Sequence, residues 1–139
     1  MEVKIFDYLP EDAYKIREDV FIKEQGFVNE LDEIDNIATH IVLYIDNEPV
    51  GTCRVFFDRE MGEYLIGRVA VLKKYRGRNL GAEIIAEAEK QILKMGGKKV
   101  VLSAQERAKD FYGKQGYTVF GELHYDEGCP HLWMKKELK

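Results

Sequence analysis

Residues 68–82 read Arg68-Val-Ala-Val-Leu-Lys-Lys-Tyr-Arg-Gly-Arg-Asn-Leu-Gly-Ala82. An apolar run suited to a strand passes through a turn containing Gly77, Asn79 and Gly81. The chain then takes up the spacing of one helix face, with Leu80, Ile84, Ile85, Ala88, Ile92 and Met95 as the apolar positions. A strand that turns straight into a helix leaves the first helical N–H groups unpaired and pointing at the turn. The helix dipole adds positive potential there, and glycines let a ligand approach the main chain closely. Arg68, Lys73, Lys74, Arg76 and Arg78 surround the turn with no acidic residue among them. These are the requirements of a phosphate cradle. A phosphate or pyrophosphate site and a plain basic turn are the two readings, and the coincidence of basic cluster and helix start favours the first. A P-loop is excluded because GxxxxGK[ST] is absent. A first Rossmann unit is excluded because GxGxxG is absent and a hairpin precedes the turn.

Upstream, Val3–Phe6 reads as a short strand. Pro10-Glu11-Asp12 opens a helix, since proline suits the first turn and acids suit its positive end. The helix is expected to reach about Lys23, with Gly26 as its stop. Residues 27–37, with Asn29, Asp32, Asp35 and Asn36, read as loop. His40–Ile45 and Val50–Phe57 form a hairpin across the Asp46-Asn47-Glu48-Pro49 turn, and Tyr64–Leu72 is a third strand. Downstream, Gly96-Gly97 closes the long helix and Val100–Leu102 is a buried strand. Ser103 and Glu106 have capping-box spacing for a helix ending at Gly116. Tyr117–Phe120 and Leu132–Lys135 are the last strands. The expected class is α/β (α+β): a mixed central sheet of six to seven strands flanked by about four helices, in one domain over residues 1–139.

The chain of 139 residues carries a net charge of −4, with 45% hydrophobic and 33% charged residues. That composition is ordinary for a globular protein and argues against general nucleic-acid binding. No apolar run has membrane-span length, and Met1-Glu2-Val3-Lys4 lacks signal-peptide order, so a cytoplasmic protein without membrane contact is expected. Cys53 and Cys129 have no metal spacing and read as free thiols; no metal is expected. The charge is uneven: residues 1–35 hold eleven acids and four bases. An acidic third suits a cation or is solvated charge.

The turn Arg76-Gly-Arg-Asn-Leu-Gly81 resembles the acetyl-CoA signature [Q/R]-x-x-G-x-[G/A] of the GNAT N-acetyltransferases, with Asn79 where glycine is usual. Asn tolerates left-handed φ, so the turn survives the exchange. Ala108-Lys-Asp-Phe-Tyr-Gly-Lys-Gln-Gly-Tyr117 resembles the family's late A-x-x-F-Y-x-x-x-G-[FY] segment. The segments Arg17…Val20-Phe21…Glu24-Gln25, His40 and Glu127-Gly-Cys-Pro-His131 resemble the bacterial ElaA/YjcF-like branch, and the likeness covers essentially the whole chain. It implies the GNAT acyl-CoA N-acyltransferase fold and acetyl-CoA as cosubstrate. The fourth strand should splay from the fifth, with pantetheine on the main chain of Val69, Ala70 and Val71. Pyrophosphate should sit on Arg76, Gly77, Arg78, Asn79, Leu80, Gly81 and Ala82. Family members are often dimers, so a homodimer is a further expectation.

Acetyl transfer needs a neutral amine, whereas a lysine-like amine of pKa about 10.4 is protonated at neutral pH. It also needs a donor for the oxygen that gains charge and a proton for the departing thiolate. The resemblance makes Tyr112 the thiolate's proton donor; helical spacing alone makes it a packed aromatic. The resemblance makes Glu63 a position for a general base, with an exposed turn carboxylate, or water alone carrying the proton, as the other readings. Glu24, His40 and His131 are alternatives to it and candidate acceptor contacts, with Arg54 and Arg68 lining the cleft or pairing with sheet neighbours. Glu30, Asp32 and Glu33 complete the acidic acceptor side. The expected activity is transfer from acetyl-CoA to a primary amine of a small molecule in a direct ternary complex. A protein or peptide N-acetyltransferase and a non-catalytic acyl-CoA-binding regulator are the alternatives.

Overall fold

The computed structural model describes residues 1–28 and 30–139; Asn29 of the expected loop lies outside the described residues. Seven strands form one sheet: β1 (Glu2–Phe6), β2 (Thr39–Ile45), β3 (Glu48–Asp58), β4 (Glu63–Val71), β5 (Lys99–Gln105), β6 (Thr118–Asp126) and β7 (Cys129–Glu137). Their spatial order is β1-β2-β3-β4-β5-β7-β6. β4 and β5 run parallel and every other neighbouring pair is antiparallel. The β2–β3 hairpin turns at Asp46-Asn47, both at positive φ (51° and 66°), the backbone that matches strand twist in a two-residue hairpin.

Among the described residues three α-helices flank the sheet, against an expectation of about four: α1 (Glu11–Arg17), α2 (Leu80–Lys94) and α3 (Lys109–Lys114). Pro10 caps α1 in an extended conformation and its carbonyl accepts from Tyr14 N–H at 3.1 Å. The helix does not stay α to Lys23; Glu18–Glu24 continues it as a π-helix, a form that recurs at functional sites. α1 and the π segment bury Ala13, Ile16, Val20 and Phe21 against Val42, Tyr44 and Ala70 on one sheet face. α2 buries Leu80, Ile84, Ile85, Ala88 and Ile92 on the other, with Tyr112 of α3 in the same core. Ser103 does not cap α3: β5 runs on through it, and its Oγ is 2.9 Å from His124 Nε2 on β6. The last hairpin is longer than expected and turns at Glu127-Gly128, so that Cys129–His131 belongs to β7.

Candidate active site

The parallel ladder between β4 and β5 holds only at Tyr64 opposite Val100 and Leu65 opposite Val101. Beyond those pairs the strands part, and a cleft of about 700 Å³ lies between them. β4 is bent where its register with β3 slips between Thr52 and Arg54, opposite Ala70 and Gly67. One extra β4 residue is accommodated there, and Arg68 takes φ 52°. A bulge kinks its strand and raises its twist, and positive φ at a non-glycine is strain of the kind found at functional sites. Arg68 and Val69 have no partner in the β3 ladder, so their main chain edges the cleft.

At the mouth, Gly77 has φ 83° and Asn79, the N-cap of α2, has φ 63°. A Cβ on Gly77 would meet nothing within 4 Å; glycine serves the turn's backbone there and leaves open space over the main chain. Gly81 differs, because a Cβ there would come within 3.0 Å of the Phe111 ring. Two motifs far apart in sequence thus close on each other. Val69, Ala70, Val71, Arg76, Gly77, Asn79, Leu80 and Gly81 line the cleft. Arg78 and Ala82 do not; the Arg78 guanidinium lies over the Tyr75 ring, 5.2 Å from its centroid. Arg76 donates from Nε to the Val71 carbonyl at 3.0 Å and grips both oxygens of Glu24 at 2.6 and 2.8 Å. The expected acceptor residue Glu24 is therefore tied to Arg76 of the turn before α2 and does not line this cleft.

Tyr112 lies in the cleft wall, 8% exposed. Its ring packs edge-on against Phe111 and Tyr117. Its hydroxyl makes no hydrogen bond with a described residue. Burial, with nearby Cys53 adding to it, pushes the phenol well above its ordinary value, so the group is a neutral proton donor at physiological pH.

The acidic loop reaches inward. Arg17, 1% exposed, donates from Nε to Glu30 Oε1 and from its terminal nitrogens to both oxygens of Asp35 at 2.9 Å. Arg54 donates to Asp35 at 2.9 Å and to Asp32 at 2.6 and 3.0 Å. Arg68 donates to the Glu30 carbonyl at 3.1 Å. Three guanidiniums thus answer three carboxylates, and Arg54, Arg68 and Glu30 form part of the cleft wall. Arg54 and Arg68 line the cleft, but their ion-pair partners are acids of the 30–35 loop rather than the expected sheet neighbours. Burial pushes the Asp35 carboxyl up, but Arg17 and Arg54 outweigh it and hold it at about 2, below the ordinary 3.8. A depressed carboxylate stabilises the fold above its unfolded pKa, and that stabilisation, about 2 kcal/mol here, is lost as pH falls through the folded value. The melting temperature is expected to drop between about pH 4 and pH 2. Asp35→Asn should flatten the drop in that window; an unchanged profile would place the acid sensitivity elsewhere.

Two sequence expectations are corrected. Glu63 starts β4 opposite Asp58 at the far end of the hairpin, with its carboxylate 3.5 Å from Lys99 Nζ, and does not line the cleft. His40 is 1% exposed behind the ion cluster, its Nε2 3.0 Å from the Asp35 carbonyl, and does not line the cleft either. Both misplacements follow from strand position, which sets end and depth independently of residue type. His131 does line the cleft. Sequence reasoning missed Arg17, Asp35 and the Gln25–Gln105 hydrogen bond of 2.9 Å, which ties the end of the π-helix to the end of β5 across the cleft. Among the described residues, no group of three or more His, Cys, Asp or Glu could hold a metal ion. Among the described residues, no helix is long and apolar enough to cross a membrane.

Residues 7–138 match the family described as an acetyltransferase (GNAT) domain. YjcF of Bacillus subtilis, an uncharacterized N-acetyltransferase, is 39% identical over 129 residues, covering 91% of each chain. ElaA of Escherichia coli is 28% identical over 109 residues, covering 77% of this chain and 71% of its own. The ElaA crystal structure superposes with a TM-score of 0.86 at 24% identity, over 98% of this chain and 99% of that one. An aminoglycoside 6'-N-acetyltransferase complexed with coenzyme A has the same fold, with a TM-score of 0.77 at 16% identity over 99% and 97% of the two chains.

Proposed function

The chain belongs to the GNAT acetyltransferase family, and from that premise we propose that this acyltransferase moves the acetyl group of acetyl-CoA to a primary amine of a small molecule, in a direct ternary complex. The observation that carries the reading is the parting of β4 from β5 beside a glycine-bearing helix start. The fit to acetyl-CoA rests on the open main chain over Gly77 and on the bulged, unpaired main chain at Arg68 and Val69. Acetyl-CoA supplies an activated acyl carbon and a thiol leaving group. The N–H groups at the start of α2 would bind the pyrophosphate, with Arg76 exchanging Glu24 for phosphate oxygens. The main chain of Val69 to Val71 would orient the pantetheine arm, and Val69 N–H would donate to the oxygen that gains charge. Tyr112 would hold a proton for the sulfur. The rings of Phe27, Phe56 and Trp133 line the cleft together with Glu30, and ring faces suit the cation of an amine acceptor.

Acetyl-CoA is expected to raise the melting temperature, because a ligand of the folded state alone stabilises it. An amine panel, run with peptides alongside and read by thiol release, tests the transfer. No shift at millimolar acetyl-CoA would sink the reading. Binding without thiol release from any amine would favour a regulator, and release with peptides alone a protein acetyltransferase. Gly81→Asp places a carboxylate at the anion site and should weaken CoA at least about tenfold, or about 1.4 kcal/mol. Gly81→Ala is the control, since it meets the Phe111 ring without adding the charge. Equal CoA affinity in a folded Gly81→Asp protein would mean that the anion lies elsewhere.

A further inference from the structure

We propose that His131 is the general base that takes the proton from the acceptor ammonium; this rests on the transferase reading above. His131 sits in β7, opposite Gln105 of β5 and His124 of β6. It is 7% exposed and lines the cleft. Its Nδ1 is 2.9 Å from the Cys129 carbonyl. A carbonyl only accepts, so Nδ1 carries the hydrogen and donates it. A neutral imidazole has one ring hydrogen, which leaves Nε2 with a lone pair. No described residue bonds Nε2. The ring is thus held by its back edge, in the tautomer that presents a base at the cleft wall. The other groups suggested for this task are committed or distant. Glu24 is bound by Arg76, and Glu63 and His40 are outside the cleft; the carboxylate of Glu30 on the cleft wall is bound by Arg17 and Arg68.

The proton balance closes with residues already described. Nε2 takes one proton from the ammonium and later passes it to water. The free amine's lone pair forms the C–N bond as the C–S bond breaks, its electron pair going to sulfur. Sulfur receives the Tyr112 proton, and the second nitrogen proton, lost as the amide forms, restores the phenol. The charged and titratable groups that share the cleft wall with His131 are Glu30, Arg54, Arg68, Tyr75, Arg76, Arg107, Tyr112, Asp126 and Glu127, and His124 lies beside it, ring centroids 5.8 Å apart.

Two measurements test this. Long-range proton–nitrogen correlation on histidine-labelled protein, with no acceptor present, should show His131 protonated at Nδ1 and bare at Nε2 when neutral; the opposite tautomer overturns the assignment. Transfer is then measured against pH with acetyl-CoA and spermidine, glucosamine, phenethylamine and a short peptide as acceptors. His131→Gln should lower kcat/KM about 10²–10⁴-fold and lose the acidic limb of the wild-type profile, while the acetyl-CoA melting shift stays. Added imidazole should restore part of the rate to His131→Ala, which a packing role would not allow. Wild-type transfer with equally fast His131 variants overturns this inference and leaves the transferase reading standing. Wild-type protein that acetylates none of the four acceptors overturns both.

Discussion

Replacing Arg17 with methionine is expected to cost the fold about 3–5 kcal/mol, the usual range when one partner of a buried ion pair is removed. Methionine keeps the stem's volume but offers nothing to Glu30 or Asp35, which are 3% and 6% exposed. Those carboxylates would be left buried with less compensation, and Arg54 would carry Asp35 alone. A domain of this size has about 5–15 kcal/mol of stability in total, so the loss is a large fraction. Urea denaturation measures it. Arg17→Lys keeps the charge but not the planar fork that meets both oxygens of Asp35, and should fall in between. Arg17→Met combined with Asp35→Asn should cost less than the sum of the two, because the second change removes one of the stranded charges. A loss under about 1 kcal/mol would mean that the loop turns its acids to water and that the cluster is no support. The cluster's position gives the test functional weight. Glu30 and Arg68, joined through it, form part of the cleft wall, so acetyl transfer should weaken in Arg17→Met even where the fold persists.

Arg17, Glu30, Asp35 and Arg54 also mark the limit of what the sequence tells. The turn from β4 into α2 was legible because its evidence is local: Gly77, Asn79, Gly81 and the basic cluster fall within fifteen residues, and a helix period starts there. The Asp46-Asn47 hairpin was legible for the same reason. Arg17 meets Asp35 across eighteen positions and Arg54 meets Asp35 across nineteen, and no periodicity links residues so far apart. Such acids read equally well as surface charge. β6 was cut short because its residues are mostly exposed on both faces, which erases the alternation that betrays a half-buried strand. Ser103 and Glu106 have the spacing of a capping box, but the β5 ladder runs through Ser103 as far as Gln105. There a tertiary pairing overrode a local preference. The π-helix escaped notice because its apolar positions also fit an ordinary helix over so short a span. Glu63 starts β4 next to Tyr64 and Leu65, the residues that still pair with β5, and so lies at the end opposite to where the two strands part.

Replacing Tyr112 with phenylalanine is expected to slow the chemical step about 10²–10⁴-fold, the usual worth of one acid–base group. The hydroxyl bonds no described residue, so its removal strands no partner and the ring keeps its edge contacts with Phe111 and Tyr117. Stability and CoA affinity should therefore stay near wild type. The phenol, raised by burial, stays protonated across the working pH range and supplies its proton only as sulfur gains charge. The cost of losing it is bounded by the leaving group, since a thiol of pKa about 8.5 departs fairly well unaided. A fall near the lower end of the range would mean that water reaches the sulfur. Single-turnover measurement is needed, because slow product release can hide a slowed chemical step. A folded Tyr112→Phe protein with the wild-type single-turnover rate would return Tyr112 to the core as a packing residue. Loss of CoA affinity together with rate would instead make it a positioning residue for the thioester. Combining Tyr112→Phe with His131→Gln separates the two proton tasks: if the phenol serves sulfur and the imidazole serves nitrogen, the acidic limb of the pH profile should vanish with His131 and persist when Tyr112 alone is changed.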